Sequence, residues 1–396
     1  VGLLILFLTV TIFWVMNRFK PLTTIKNVLL FALIALLTSF LWFGYETIKN
    51  GPWFIGEFLS YQIELLTGAE GGAAAGHQQP FYYHFVVILI GCFPISILAF
   101  GNLFGSKYLE DKLQFRRWMN ILFWVVLILF SIVSTKIVHY SSMCYLPLSF
   151  MAAYYLHQCD IGKERMSRWI SLLIGLMGLA ISAILVLVPI AMMNKETWVV
   201  PNVKDQFILD ALTMDVEWSP LALIPGSLFF IITIFGLIQL LNKKVFRFAS
   251  IQGIGLSICL LLTSIFILPN IERYSQGPAI DFCENLEGKD VYILPLRHKS
   301  YAHYFYAKTQ PLKEKDGLKK VQANALKDLG KERFGELKGE ERQTYNSAVQ
   351  NWLINGDIDK DAYFIIKSDK FQAGHYPTLE VIMQEGGFIG LKRSAE

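Results

Sequence analysis

Eight apolar runs, near residues 1–17, 27–43, 81–104, 118–135, 140–157, 169–193, 221–241 and 249–269, occupy most of the first two thirds of the chain. Each approaches the roughly 20 residues that a helix needs to cross a bilayer. Inside hydrocarbon only helices and closed barrels satisfy their own backbone hydrogen bonds. None of the runs carries Asp, Glu, Lys or Arg in its interior. With 54% hydrophobic and 17% charged residues, the composition agrees with a membrane class. The pattern predicts a polytopic α-helical membrane protein of about eight visible spans over 1–269, followed by a soluble α/β domain over 270–396.

The connecting segments alternate in charge. Segments 17–26, 105–118, 158–168 and 242–248 hold 13 Lys and Arg, whereas 44–80, 135–140 and 194–220 hold four. By the positive-inside rule the first set faces the cytoplasm. Segment 44–80 and everything beyond 270 then face outward. The tail is balanced, with 19 basic and 19 acidic residues over 270–396, and nothing in the charge pattern favours nucleic acid. Its strand candidates are 291–294, 363–366, 379–383 and 388–391, with helices near 275–287, 299–307, 318–335 and 340–354. The charged stretch 313–342 reads as a solvated helical face. Cys92, Cys144 and Cys259 fall in apolar runs, Cys159 at an inner edge and Cys283 alone in the tail, so no disulfide framework or zinc spacing is present.

Polar chemistry gathers at the outer rim. Within 44–80, Gly51-Pro52 suits a helix start. Trp53, Phe54, Phe58, Tyr61 and Leu65 then recur at helical spacing opposite Glu57, Ser60 and Glu64, which predicts an amphipathic interfacial helix. Gly68 can end it, and the glycine- and alanine-rich run 68–76 reads as a hinge or lid. Next comes His77-Gln78-Gln79-Pro80-Phe81-Tyr82-Tyr83-His84, with amides, imidazoles and aromatic rings at a membrane edge. A second group, Thr135-Lys136-Ile137-Val138-His139-Tyr140, turns between two spans, which puts Lys136 and His139 near the surface.

Taken singly, a lysine at a helix end snorkels to water, and a lone His or Tyr there belongs to the aromatic belt. Two clusters on one face point instead to a binding site. Lys136 offers a cation to a phosphate, His77 and His139 donate hydrogen bonds or carry protons, and Tyr82, Tyr83 and Tyr140 offer flat surfaces to a sugar or isoprenoid. Gln79 adds an amide. The carboxylates Glu57, Glu64 and Glu70 are expected to solvate the interfacial helix. Spans without charge weigh against an ion-coupled transporter.

The segment Gly51-Pro52-Trp53-Phe54, then His77-Gln-Gln-Pro-Phe-Tyr-Tyr, then Gly91-Cys-Phe-Pro94, resembles the periplasmic loop and following helix of GT-C membrane glycosyltransferases of the family 39 type. That group includes protein O-mannosyltransferases, and the lipid A aminoarabinose transferases are related. Thr135-Lys136-x-x-His139-Tyr140 with Tyr145-Leu-Pro147 resembles a second segment of the same group. The resemblance covers about 51–150. It implies inverting transfer of a hexosyl or pentosyl group from a polyprenyl-phosphate carrier to a lipid, polysaccharide or protein acceptor. It also implies a multi-pass protein of the bacterial inner membrane with its C-terminal domain extracytoplasmic. No cofactor is evident, and a divalent metal remains open.

In such enzymes an acidic residue of the first outward loop is the general base. The chain reads as the C-terminal part of a longer protein, so that residue is expected before Val1. One departure stands out. The interfacial helix of related enzymes often carries a His and an Arg, whereas Ser60–Leu66 has neither. The alternatives from other classes are a lipid or glycolipid transporter that only gates entry at the rim, and a catalytically inactive scaffold.

Overall fold

A computed structural model describes residues 2–67, 79–103, 114–133, 136–337 and 340–395. His77, Gln78, the run 68–76 with Glu70, and Thr135 lie outside the described residues. Among the described residues sixteen α-helices and four strands follow in order. They are α1 (Gly2–Met16), α2 (Ile25–Asn50), α3 (Trp53–Thr67), α4 (Tyr83–Gly91), α5 (Ile95–Leu103), α6 (Phe115–Ile132), α7 (Tyr145–Asp160) and α8 (Arg168–Met193). Next come α9 (Lys195–Trp198), α10 (Gln206–Leu212), α11 (Ile224–Leu241), α12 (Val245–Phe266), α13 (Leu268–Glu284), β1 (Tyr292–Leu296), α14 (Ala302–Tyr306), α15 (Gly317–Asp328) and α16 (Glu340–Asn355). The strands β2 (Ala362–Lys367), β3 (Glu380–Glu385) and β4 (Phe388–Arg393) close the chain. Two compact units emerge, one of 1–178 with 233–252 and one of 179–232 with 253–396.

Among the described residues each of the eight apolar runs contains α-helix, but the helices are not equally long. Among the described residues five helices are long and apolar enough to cross a membrane, or six if the bent pair α4–α5 is one span. The chain is a multi-pass membrane protein. The shortfall from eight has a simple cause. α1 has 15 residues and α7 has 16, about 22–24 Å at 1.5 Å per residue against a core of about 30 Å.

Within the first unit α1 packs on α6, α2 on α3, and α5 and α6 on α7. α4 and α5 meet at 113°. Pro94 lacks an N–H to continue the ladder, and the Ser96 hydroxyl donates to the Leu89 carbonyl (2.7 Å), which satisfies an acceptor at the break. α5 and α7 approach closely at Gly101, where a Cβ would lie 2.5 Å from the Tyr155 ring. α3 is helical as the spacing predicts, and Phe43 of α2 meets Phe54 and Phe58 of α3. Glu57 is half-buried, and its Oε1 is shielded without a hydrogen-bond partner among the described residues.

In the second unit the expected boundary at 269–270 falls in the first turn of α13. The sheet order is β1-β2-β4-β3, with β1 and β2 parallel and the other pairs antiparallel. All four expected strands are present. β2 is buried on both faces, which explains its unbroken apolar run. Phe364 and Ile366 join a core with Leu296, Leu353 and Leu391, while Ile365 joins Phe282, Cys283 and Phe388 on the other side. The β3–β4 turn is Gly386-Gly387, both at positive φ (51° and 80°), as a two-residue hairpin of this twist requires.

The segment 194–220, expected to be a simple connection, is built. Lys195 donates to the carbonyls of Leu212 (2.6 Å) and Met214 (2.7 Å). α10 then meets the sheet through Phe207 against Phe388 and the Ser368 hydroxyl on Asp210 (2.5 Å).

Acid should loosen this unit. Asp316 accepts the Lys313 N–H (2.8 Å) and pairs with Lys360 (2.9 Å). Asp361 accepts the Ala395 N–H and pairs with Lys392, both at 3.0 Å. These contacts, the backbone bond first, hold both carboxyls below the usual carboxylate range. A lowered native value contributes stability that is complete above the unfolded pKa of about 3.9 and is lost as pH falls through the native value. The midpoint of unfolding followed by Trp352 fluorescence should therefore drop below about pH 4, and less steeply with Asp316→Asn and Asp361→Asn. An unchanged slope in that double variant would refute the assignment.

Candidate anion site

Three elements of the first unit build the site. α4 begins at Tyr83, α6 ends at Ile132, and a 3-10 turn spans Val138–Cys144. The turn packs on both α4 and α6, and α4 packs on α6. The two polar clusters, about fifty residues apart in sequence, thus share one end of this helix group.

Aromatic rings connect them. Tyr83 meets His84 edge-on (5.2 Å between centroids), His84 meets Phe130 (6.3 Å), Phe130 meets Tyr140 (5.3 Å), and Tyr140 meets His139 (5.1 Å). Phe130 sits on the last turns of α6 and bridges the clusters.

Lys136 is the charge of this cluster, and it does not snorkel. The residue is only 6% exposed, contrary to the surface position that the short turn suggested. The reason is local. Its ammonium donates to the Val133 carbonyl (2.8 Å), one of the acceptors left open where α6 ends. Among the described residues it has no other acceptor, so an ammonium with three donors uses one. A buried charge is costly unless paired.

Beside it stands a second orphan. His84 is fully buried, and neither ring nitrogen has a hydrogen-bond partner among the described residues. Lys136 acts on it electrostatically. Buried polar atoms without partners are rare and ask for an explanation. A cation with spare donors beside an unpartnered imidazole can receive anionic oxygens.

The other candidates are placed less centrally. Gln79 and Tyr82 are exposed, Tyr82 at 62%, and so is His139, while Tyr83 and Tyr140 are half-buried. His77 falls outside the described residues. His84 and Phe130 are the members that sequence reasoning passed over. A signal existed for His84, because it lies four residues before Ile88 and shares its buried helix face. Phe130 gave none, being one apolar residue in an apolar run. Among the described residues no group of three His, Cys, Asp or Glu could hold a metal.

No protein-family model matches the chain. Curated relatives named undecaprenyl phosphate-alpha-4-amino-4-deoxy-L-arabinose arabinosyl transferase do. The protein of Wigglesworthia glossinidia brevipalpis is 31% identical over 98 residues, 24% of this chain and 17% of that protein. Those of Pectobacterium atrosepticum and Aeromonas salmonicida are 33% and 35% identical over 117 and 121 residues, 28% and 29% of this chain. The matches span about a fifth of those relatives' length, 21% and 22% in the latter two.

The fold comparison reaches further. ArnT from Cupriavidus metallidurans bound to undecaprenyl phosphate superposes with a TM-score of 0.60 over 99% of this chain and 65% of that one, at 13% identity. This chain has an ArnT-like GT-C fold. The apo ArnT structure gives 0.61 at 14% identity over 99% of this chain and 64% of that one. The ArnT-like fold thus extends from the helices through the C-terminal sheet, well past the region of sequence resemblance. This chain still spans less than two thirds of the ArnT chain.

Proposed function

We propose that the protein is an integral membrane glycosyltransferase that moves a sugar from a polyprenyl-phosphate carrier to an acceptor on the extracytoplasmic side. The observation that carries this reading is the buried Lys136 ammonium with donors to spare, within electrostatic reach of His84, whose ring nitrogens have no partner among the described residues. A carrier phosphate would supply the missing acceptors. Support comes also from the ArnT-like fold, and from relatives whose names give an undecaprenyl-phosphate sugar as donor.

The chemistry follows from the charge. The acceptor oxygen attacks the anomeric carbon as the bond to the carrier phosphate breaks. The phosphate leaves with the bonding pair, and the ammonium stabilises that developing charge. The acceptor proton passes to a general base. His84 is assigned a hydrogen bond to the same phosphate, while Tyr83, Tyr140 and His139 border it. Backside attack inverts the anomeric carbon. The Lys and Arg bias of the alternate segments supports an extracytoplasmic location for this rim and for the α/β region, in the inner membrane of a bacterium.

The test is the full-length protein in vesicles with a polyprenyl-phosphate donor whose sugar is radiolabelled. Label in a new glycosidic bond, together with released polyprenyl phosphate, is the expected result. Label that crosses the membrane with its donor bond intact would support a transporter instead. His84→Phe, which keeps the ring contacts and removes both nitrogens, should lower the transfer rate by about tenfold, the scale of one hydrogen bond to a charged group. A His84→Phe enzyme with the wild-type rate would remove His84 from the site.

A further inference from the structure

A hollow of the first unit lies elsewhere, lined by α1 and α6. It measures about 760 Å³ and follows α6 from Arg117 to Ile132, with Ile12, Trp124 and Ile128 among its walls. Fifteen steps of 1.5 Å between these residues make about 22 Å of helix, most of the hydrocarbon thickness. Where α6 begins, it adjoins a second hollow of about 550 Å³, and the two share Met16 and Gln114.

Charge is confined to that end. Arg116 and Arg117 line the first hollow and Arg18 and Lys20 the second, and among the described residues neither is lined by Asp or Glu. Arg117 donates to Asn17 Oδ1 (2.9 Å) and Gln114 Oε1 (2.8 Å), which fixes its guanidinium where the two hollows join. Arg18 and Lys20 are exposed. Among the described residues no carboxylate pairs with Arg18, Lys20 or Arg117. An apolar trough that ends in clustered cations matches one kind of molecule, an apolar chain with an anionic head.

We propose that this groove binds an anionic glycerophospholipid, its phosphate over Arg18, Lys20 and Arg117 and an acyl chain along Ile12, Trp124 and Ile128. The leaflet is the cytoplasmic one, which follows from the same Lys and Arg bias. Basic clusters at that surface attract anionic lipids. The cations stand at the opposite end of α6 from Lys136, so this lipid site is separate from the carrier site and does not depend on it.

Trp124 reports on the groove. The full-length protein is placed in phosphatidylcholine nanodiscs that contain either phosphatidylglycerol or phosphatidylcholine brominated in the acyl chains. Quenching lost in Trp124→Phe is the Trp124 signal. Brominated phosphatidylglycerol should quench it more than brominated phosphatidylcholine does. Salt should weaken that preference, since the Debye length is about 8 Å at physiological ionic strength. The combined Arg18→Gln, Lys20→Gln and Arg117→Gln variant should reduce it by roughly tenfold, part of the attraction of three cations to an anionic surface. Arg18→Lys with Arg117→Lys should retain it, which separates charge from fold. Equal quenching by the two lipids would overturn the proposal, as would a preference that survives in the Gln variant. Absence of Trp124 quenching by either lipid would overturn it too, because protein rather than lipid would then cover the groove.

Discussion

Lys136→Met in the full-length protein should lower sugar transfer by about 10²–10³-fold, the scale seen when one preorganised donor to a developing oxyanion is removed. Methionine keeps most of the apolar stem of the side chain and deletes the ammonium with its charge and donors. The fold should survive, because the substitution forfeits one bond to the Val133 carbonyl, worth about 0.5–1.5 kcal/mol net. An ammonium that acts on the leaving phosphate predicts that kcat and kcat/KM fall together. A loss confined to KM would make Lys136 a simple binding contact. Lys136→Arg should recover only part of the rate. Its charge is retained, but the wider guanidinium must enter a position that is 6% exposed. Wild-type rates in the Met variant, with membrane insertion intact, would refute the assigned role.

Phe364→Ala should destabilise the second unit by about 3–5 kcal/mol, the range for removing an aromatic ring from a packed core. Phe364 is fully buried in the middle of β2, between β1 and β4, and its ring fills the core with Leu296, Leu353 and Leu391. Domains of this size hold only about 5–15 kcal/mol in total, so a large share of the margin disappears. Trp352 packs against the same core, which makes its fluorescence a local probe of unfolding by denaturant. Val381→Ala on β3, at a position 47% exposed, is the control and should shift stability by no more than about 0.5 kcal/mol. Equal shifts in the two variants would contradict the described core.

How much of this was legible in the chain depends on the kind of signal. β2 and β4 are short apolar runs bounded by turn residues, and β3 is a short partly alternating one, so the strands were readable. Helix α3 was readable from its aromatic spacing. Span length was less so, because an apolar run does not say where its helix stops. The run 140–157 begins with a 3-10 turn, and only Tyr145–Asp160 is α-helix. The segment 194–220 has no apolar periodicity of its own. Its order comes from Lys195 on two carbonyls and Phe207 on the sheet, tertiary contacts that composition cannot announce.

The site shows the same division. Polar residues at membrane edges drew notice to Lys136, His139, Tyr83 and Tyr140, because such groups are conspicuous in an apolar chain. Their meeting was not readable, since it depends on packing among α4, α6 and the 3-10 turn. Nor was the burial of Lys136, which depends on a carbonyl at the end of α6. The exposed Gln79 and Tyr82 had the same conspicuous chemistry and a different fate. They precede the first turn of α4 and so escape its buried face.

The most direct test of the account is to locate the carrier phosphate. A polyprenyl phosphate with a photoreactive group beside the phosphate, irradiated with the full-length protein and mapped by peptide mass spectrometry, should label the segments 79–91 and 136–144. Labelling should fall sharply in the Lys136→Met protein. Labels placed elsewhere, or labelling of these segments that is indifferent to Lys136, would contradict the account.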